Sequence, residues 1–408
     1  MQAPGRSRVT FPRKLAEWFG LKRNLIILLI ALFVIGAGEE LWMRFLPKYL
    51  QALGASVFVI GLYDALRTFL AAIYAYPGGL AADAWGHRRA FIAFNTFSIA
   101  GYTLVLLVPH WGAVIAGMFL FLSWTWFSVP AAFSLVGATL ASNRHSMGIA
   151  LQSVIKRLPI MIAPVCGGML IDRFGIVTGV RIGLAVSIVF SAGTILVQGQ
   201  LKETSRPRVI RPERWNFRMT LKRFNAPLRS LLLSDILIRF CERLPFAWVV
   251  IFAMDYVGLS AREVGVLTTI EMLFATACTI PASHFADRHG RESFVVVTFA
   301  MFTFFPLTLL VAHNFPMLVL AFAIRGLKEF GDAPRKALII GYCDDERRGQ
   351  MIGAYYLVRD LIVSMGAIIG AYLWKIGPAA NFIGATALGA LGTALYLLNV
   401  GRAKAARA

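Results

Sequence analysis

The chain reads as an all-α membrane protein, with twelve transmembrane helices in two pseudo-symmetric six-helix bundles. Composition is the first reason. Of 408 residues, 58% are hydrophobic and 15% charged, with 31 Phe and 9 Trp; an ordinary soluble domain is about 45–50% apolar and roughly 25% charged. A water-soluble fold of this length has too little interior to hide so much apolar surface. Distribution is the second reason: apolar runs of about 20 residues, enough to cross a hydrocarbon core, recur along nearly the whole chain. The third is repetition at half the chain length.

The first expected span, 24–47, follows a basic segment and has the look of a signal peptide. Glu39 and Glu40 come directly after its apolar run and no cleavage site is evident, so a retained helix is expected. Span 57–80 starts after Ser56 and ends in Pro77-Gly78-Gly79; span 89–108 is free of charge inside its ends. Span 112–140 offers only Trp124, Thr125, Trp126 and Ser128 as polar or aromatic candidates, and 147–171 carries the adjacent cations Lys156 and Arg157. Span 177–199 closes the first unit, residues 1–199. A basic connection, 200–228, leads to the second unit, 229–408, whose spans are 229–254, 262–285, 293–312, 316–341, 349–374 and 379–400.

Formal net charge is +20, which in a soluble protein would suggest nucleic acid. In a membrane chain, basic residues collect in cytoplasmic loops because they resist translocation. With the N-terminus inside, 25 Lys/Arg fall on the cytoplasmic side, eight of them in the central connection and a ninth, Arg229, at its edge, against four outside (Lys48, Arg173, Arg262 and Lys375). Both termini are therefore expected in the cytoplasm and nucleic acid is not an expected partner. The four Cys sit in or beside apolar runs without metal-ligand spacing and read as small buried hydrophobes.

Shifting the sequence by 204 residues superposes Ser56 on Ser260, Gly61 on Gly265, Pro77 on Pro281, Pro130 on Pro334 and Gly137 on Gly341; later the offset drifts to about 202, as Gly168 and Gly370 show. Asp83 and Gly86 likewise fall on Asp287 and Gly290. The segment Gly79 to Arg89, which holds Asp83, Gly86, Arg88 and Arg89, resembles the signature loop of the major facilitator superfamily (MFS), with Ala84 where a basic residue is usual. It is echoed by Ala286 to Arg291, with Asp287, Arg288, Gly290 and Arg291, at the matching place in the second unit. The resemblance implies the MFS fold, with the third, sixth, ninth and twelfth helices facing lipid and the others lining a central cavity. It also implies that these loop residues latch the cytoplasmic side. Ala163-Pro164-Val165-Cys166-Gly167-Gly168 is similar to a Gly-Pro motif of antiporter branches, with Ala replacing the first Gly.

Ionisable groups within spans are functional candidates by default. Asp64 and Arg67 stand three apart; Asp235, Arg239 and Glu242 make one stripe, and Arg325, Glu329 and Asp332 another with Lys328 beside it. Glu40, Asp64, Asp235, Glu242 and Glu329 are candidates for carrying a coupling proton. Arg67, Lys156, Arg157, Arg239, Arg325, Lys328 and Arg359 are candidates for contacting substrate or serving as counter-ions. Structural pairing across helices is the competing reading for any one of them. The six His make no HxxxH or HExxH arrangement and no phosphate-cradling loop occurs, so no metal, cofactor or ATP is expected.

The expected activity is secondary active transport, not catalysis, by a monomer in the inner (plasma) membrane. It moves a small organic solute, anionic or amphipathic, by alternating access, coupled to protons and running as efflux by antiport. An organic-anion importer or exchanger of the same superfamily is the alternative. A membrane-embedded lipid-modifying enzyme or a transporter-like sensor is the alternative of another class.

Overall fold

A computed structural model describes residues 22–139, 145–202, 217–343 and 348–405, and among these every regular element is helical. The first half holds α1 (Arg23–Glu40), α2 (Val57–Trp85), α3 (His87–Leu107), α4 (Trp111–Thr139), α5 (His145–Phe174) and α6 (Ile176–Gln198). The second holds α7 (Ala226–Phe246), α8 (Ala261–His289), α9 (Arg291–Leu310), α10 (Phe315–Leu327), α11 (Arg348–Ile376) and α12 (Pro378–Ala405). Among the described residues, nine helical rods are long and apolar enough to cross a membrane. The rods begun by α7 and α10 fall short of that, because charge interrupts the first and a break the second.

The expected connection 200–228 is shorter than the sequence suggested. It contains a helical turn, Phe217–Lys222, and α7 already begins at Ala226. Asn225 causes the early start: its side chain accepts a hydrogen bond from the Leu228 amide at 2.9 Å, with proline in the first turn. Residues 203–216 lie outside the described part of the chain.

The repeat is visible in local chemistry. Ser56 accepts from the Val59 amide at 3.3 Å to cap α2, and Ser260 caps α8 in a reciprocal box with Glu263. Gly86 and Gly290 turn the chain between α2–α3 and α8–α9 at φ +82° and +93°, a region that side chains with a Cβ avoid. Packing repeats as well. In the first half α1 packs on α5 and α6, α4 on α2 and α3, and α6 on α3 and α5. In the second half α7 packs on α11 and α12, α10 on α8 and α9, and α12 on α9 and α11.

The halves meet along two equivalent seams, α5 against α8 and α2 against α11. Small residues make these seams close. A Cβ on Gly168 would lie 2.4 Å from the Ala261 carbonyl oxygen, one on Gly265 2.5 Å from that of Pro164, and one on Gly61 2.6 Å from the Ala371 Cβ. Turns alternate between two faces, one bearing the described chain ends. On the opposite face a single apolar core joins both halves, with Trp42 edge-on to Phe121 at 5.4 Å and Trp248 stacked on Trp374 at 5.1 Å. Lys48 of the first half pairs there with Asp255 of the second. The Asp172 carboxylate accepts from the amides of Ala261 (2.8 Å) and Arg262 (3.0 Å), two donors that the first turn of α8 leaves open. Toward the chain ends the core instead splits in two, around Phe91 and Leu135 in one half and Phe299 and Tyr355 in the other. Among the described residues, the apolar core is thus continuous on one face and divided on the other.

Overpacking a seam of this kind costs about 1–3 kcal/mol. Gly168→Val should lower the thermal midpoint of the detergent-solubilised protein by several degrees. Gly193→Ala, on α6 with nothing within 4 Å of the added Cβ, should not; equal losses for the two variants would refute the close-seam account.

Candidate functional site

Three helical rods are broken along their length. The first is interrupted at Leu41–Trp42 and resumes as the 3-10 turn Met43–Phe45 and the helix Leu46–Ala52. At the repeat-equivalent place α7 ends at Phe246, after Pro245, and continues as Trp248–Ile251 and a wide turn Phe252–Tyr256. The rod of α10 passes through a 3-10 turn, Lys328–Gly331, into the helix Asp332–Gly341. Irregular backbone at membrane depth is tolerated where it is buried in protein or lines a water-filled space. Here it lines a cavity of about 210 Å³ between the halves.

The cavity wall carries carboxylates Glu40, Asp64 and Glu271 and cations Arg44, Arg67, Arg325 and Lys328. Tyr63, Phe246 and Phe322 supply its aromatic surface. Much of the charge is paired: Asp64 Oδ1 with Arg243 Nη1 at 3.5 Å, Glu271 Oε1 with Arg325 Nε at 3.2 Å, and Lys328 Nζ with Glu242 Oε1 at 2.7 Å. The Phe246 ring lies under three guanidiniums, those of Arg67 (5.5 Å), Arg243 (4.9 Å) and Arg325 (5.5 Å), a cation–π arrangement that joins the two halves. Glu40, Arg44 and Arg67 form no ion pair among the described residues, although Glu40 lies in the fields of both arginines.

Of the expected proton carriers, Glu40 and Asp64 therefore line the cavity, and Glu242 touches it through Lys328. Asp235 does not. It is fully buried in the second half, where it accepts from Arg335 Nη1 (2.6 Å), Tyr355 Oη (3.1 Å) and Arg359 Nη1 (3.3 Å). Arg239 bonds Glu242 at 2.7 Å, and Arg359 also holds Asp360 at 2.7 Å. Glu329 meets Arg157 at 3.4 Å across the halves, outside the cavity wall. Among the expected cations, Arg67, Arg325 and Lys328 reach the cavity. Arg239 and Arg359 belong to the Asp235 cluster, and Lys156 is half-buried on α5 away from the wall. Helix α4 contributes nothing to the lining, whereas its repeat partner α10 supplies Phe322, Arg325 and Lys328; Trp124 packs on Phe91 inside the first half.

Selection by charge spacing passed over Arg44, Arg243, Glu271 and Phe246. Arg44 stands one turn from Glu40 and Arg243 next to Glu242, which is the signal available for both. Glu39 is held by hydroxyls, accepting from Tyr102 at 2.6 Å and Thr125 at 3.1 Å. At the α2–α3 and α8–α9 turns Arg88, Arg89 and Arg288 are exposed; the side chains of Asp83 and Asp287 lie outside the described residues.

Comparison with known proteins agrees with this geometry. An uncharacterized MFS-type transporter of Methanocaldococcus jannaschii is 21% identical over 405 residues, covering 92% of this chain and 95% of that protein. A multi-drug resistance efflux pump PmrA homolog of Lactococcus lactis is 25% identical over 202 residues, 48% of this chain and 47% of the other. The crystal structure of a POT family transporter in complex with 5-aminolevulinic acid has the same fold, with a TM-score of 0.74 at 14% identity over 94% of this chain and 96% of that one. With the family model described as Major Facilitator Superfamily matching residues 28–255 and 231–408, the chain belongs to that superfamily of transporters.

Proposed function

We propose that this transporter exports a small organic solute through the cavity by alternating access, in exchange for protons. The observation that carries the reading is Glu40, a carboxylate on the cavity wall with no ion-pair partner among the described residues, at the break of α1 and beside two arginines. A group so placed changes protonation state as access changes, while Asp64, bound to Arg243 across the halves at 3.5 Å, couples that state to their separation. Export is supported by the efflux pump among the relatives and by the Gly-Pro motif of α5, whose glycines bring α5 against α1 and α8. The face bearing the chain ends is cytoplasmic by its basic loops, the membrane is the inner membrane, and the working unit is a monomer. Asp83, Gly86, Arg88 and Arg89, with Asp287, Arg288, Gly290 and Arg291, latch that face when the other opens.

A second reading, import or exchange of an organic anion, is favoured by one observation: Arg44 and Arg67 face the cavity without a paired carboxylate among the described residues. Everted vesicles with an acid interior separate the two. Under exchange, addition of ethidium, 4-(aminomethyl)benzoate or benzenesulfonate should release lumenal protons for at least one probe, and Glu40→Gln should reduce that release tenfold or more. If no probe releases protons beyond vesicles lacking the protein, exchange is wrong. Benzenesulfonate loaded inside the vesicles and leaving together with lumenal protons would establish the second reading.

The Asp235 cluster is read as scaffold. Removing one partner of a buried, hydrogen-bonded set costs about 3–5 kcal/mol. Asp235→Asn should accordingly lower the thermal midpoint and the yield of folded protein while leaving probe selectivity unchanged. Unchanged stability with altered selectivity would move Asp235 into the transport path.

A further inference from the structure

We propose that the transported solute is a zwitterion, one acidic and one amino group on a compact body with an apolar or aromatic face. The inference rests on the transport reading and names the substrate class of the same cavity. Pairing off the wall charges leads to it. Asp64 is matched by Arg243, Glu271 by Arg325 and Lys328 by Glu242. What remains is one carboxylate, Glu40, and two guanidiniums, Arg44 and Arg67. Arg44 Nε is buried with no hydrogen-bond partner, and so are the second oxygens of Asp64 and Glu271 on the same wall. Buried polar atoms of native proteins find partners, and these three are one donor and two acceptors.

Only a solute of both signs answers all of them. A cation would satisfy Glu40 and face two unpaired guanidiniums. An anion would satisfy the guanidiniums and face Glu40. A zwitterion gives its carboxylate to Arg44 and Arg67, whose planar forks suit it, and its ammonium to Glu40. Tyr63, Phe246 and Phe322 offer a flat apolar wall to the body. The volume, about 210 Å³, lies below the roughly 300–1,000 Å³ of drug-sized sites, which restricts the solute to a compact one. Ammonium and proton compete for the same Glu40 carboxylate in this arrangement, so arrival of one expels the other, which is the exchange that transport requires.

Calorimetric titration of the purified full chain with three matched probes tests the inference: 4-(aminomethyl)benzoate carries both charges, 4-methylbenzoate only the acid, and 4-methylbenzylamine only the amine. The zwitterion should bind the wild-type chain at least tenfold more tightly than either single-charge probe, a comparison that needs no variant to fold. Arg44→Gln or Arg67→Gln should weaken zwitterion binding tenfold or more without weakening the amine, and Glu40→Gln should bring the zwitterion to the level of the acid. Arg44→Lys, with charge kept, should retain a measurable preference. A single-charge probe that binds as tightly as the zwitterion, absence of binding by all three, or an Arg44→Gln chain with zwitterion affinity intact would each overturn the proposal. Zwitterion binding without proton exchange in vesicles would leave it standing and remove the exchange reading instead.

Discussion

A charge within the thickness of a bilayer must find an opposite charge, a hydrogen-bonding neighbour or water, and the arrangement of this chain follows from that demand. In the second half it is met by protein. Asp235 gathers Arg335, Arg359 and Tyr355, Arg335 also holds Asp332 at 2.7 Å, and Arg239 carries the chain of contacts on to Glu242 and Lys328. These contacts tie α7 to α11 and to the broken rod of α10. In the first half the demand is met differently. Glu39 is sequestered by hydroxyls, and Glu40, Arg44 and Arg67 face open space. One physical requirement thus sorts the titratable groups into a braced set and an available set.

Two of the available set, Glu40 and Arg44, sit where backbone regularity fails, and Arg67 faces them from the unbroken α2. Breaks in the first and seventh rods occupy equivalent positions of the repeat, and both border the cavity. The glycine seams between α5 and α8 and between α2 and α11 bring the halves together on either side of it. Close packing at the seams and irregular backbone between them are complementary. The seams give the halves a fixed register, and the breaks leave room for side chains to turn inward.

Much of this was legible in the sequence. Helix positions followed from hydropathy, and the paired turns at Gly86 and Gly290 from the repeat, which aligned Ser56 with Ser260 without marking them as caps. The uneven contributions of α4 and α10 followed from their contrasting charge. Partners were less legible, because spacing along one helix says which residues share a face and nothing about what that face meets. Asp235 and Arg239 stand four apart yet approach only to 3.8 Å, whereas Arg335, 100 positions away, reaches Asp235 at 2.6 Å. Arg359 was expected near the solute path and lies against Asp235 and Asp360, for the same reason. Arg44 was passed over because its neighbourhood depends on a break that the apolar pattern does not announce.

The Asp172 bond to the start of α8 gives the closed face a directional bias. Any motion that parts the halves there must strip two amide donors of a carboxylate that lies on the opposing half, and water replaces it imperfectly. Loss of a comparable helix cap costs about 0.5–2 kcal/mol, so this one contact is worth up to roughly thirtyfold in the resting balance between conformers, at about 1.4 kcal/mol for each factor of ten. A single acidic side chain of the first half thereby adds to the hold between the halves on the closed face.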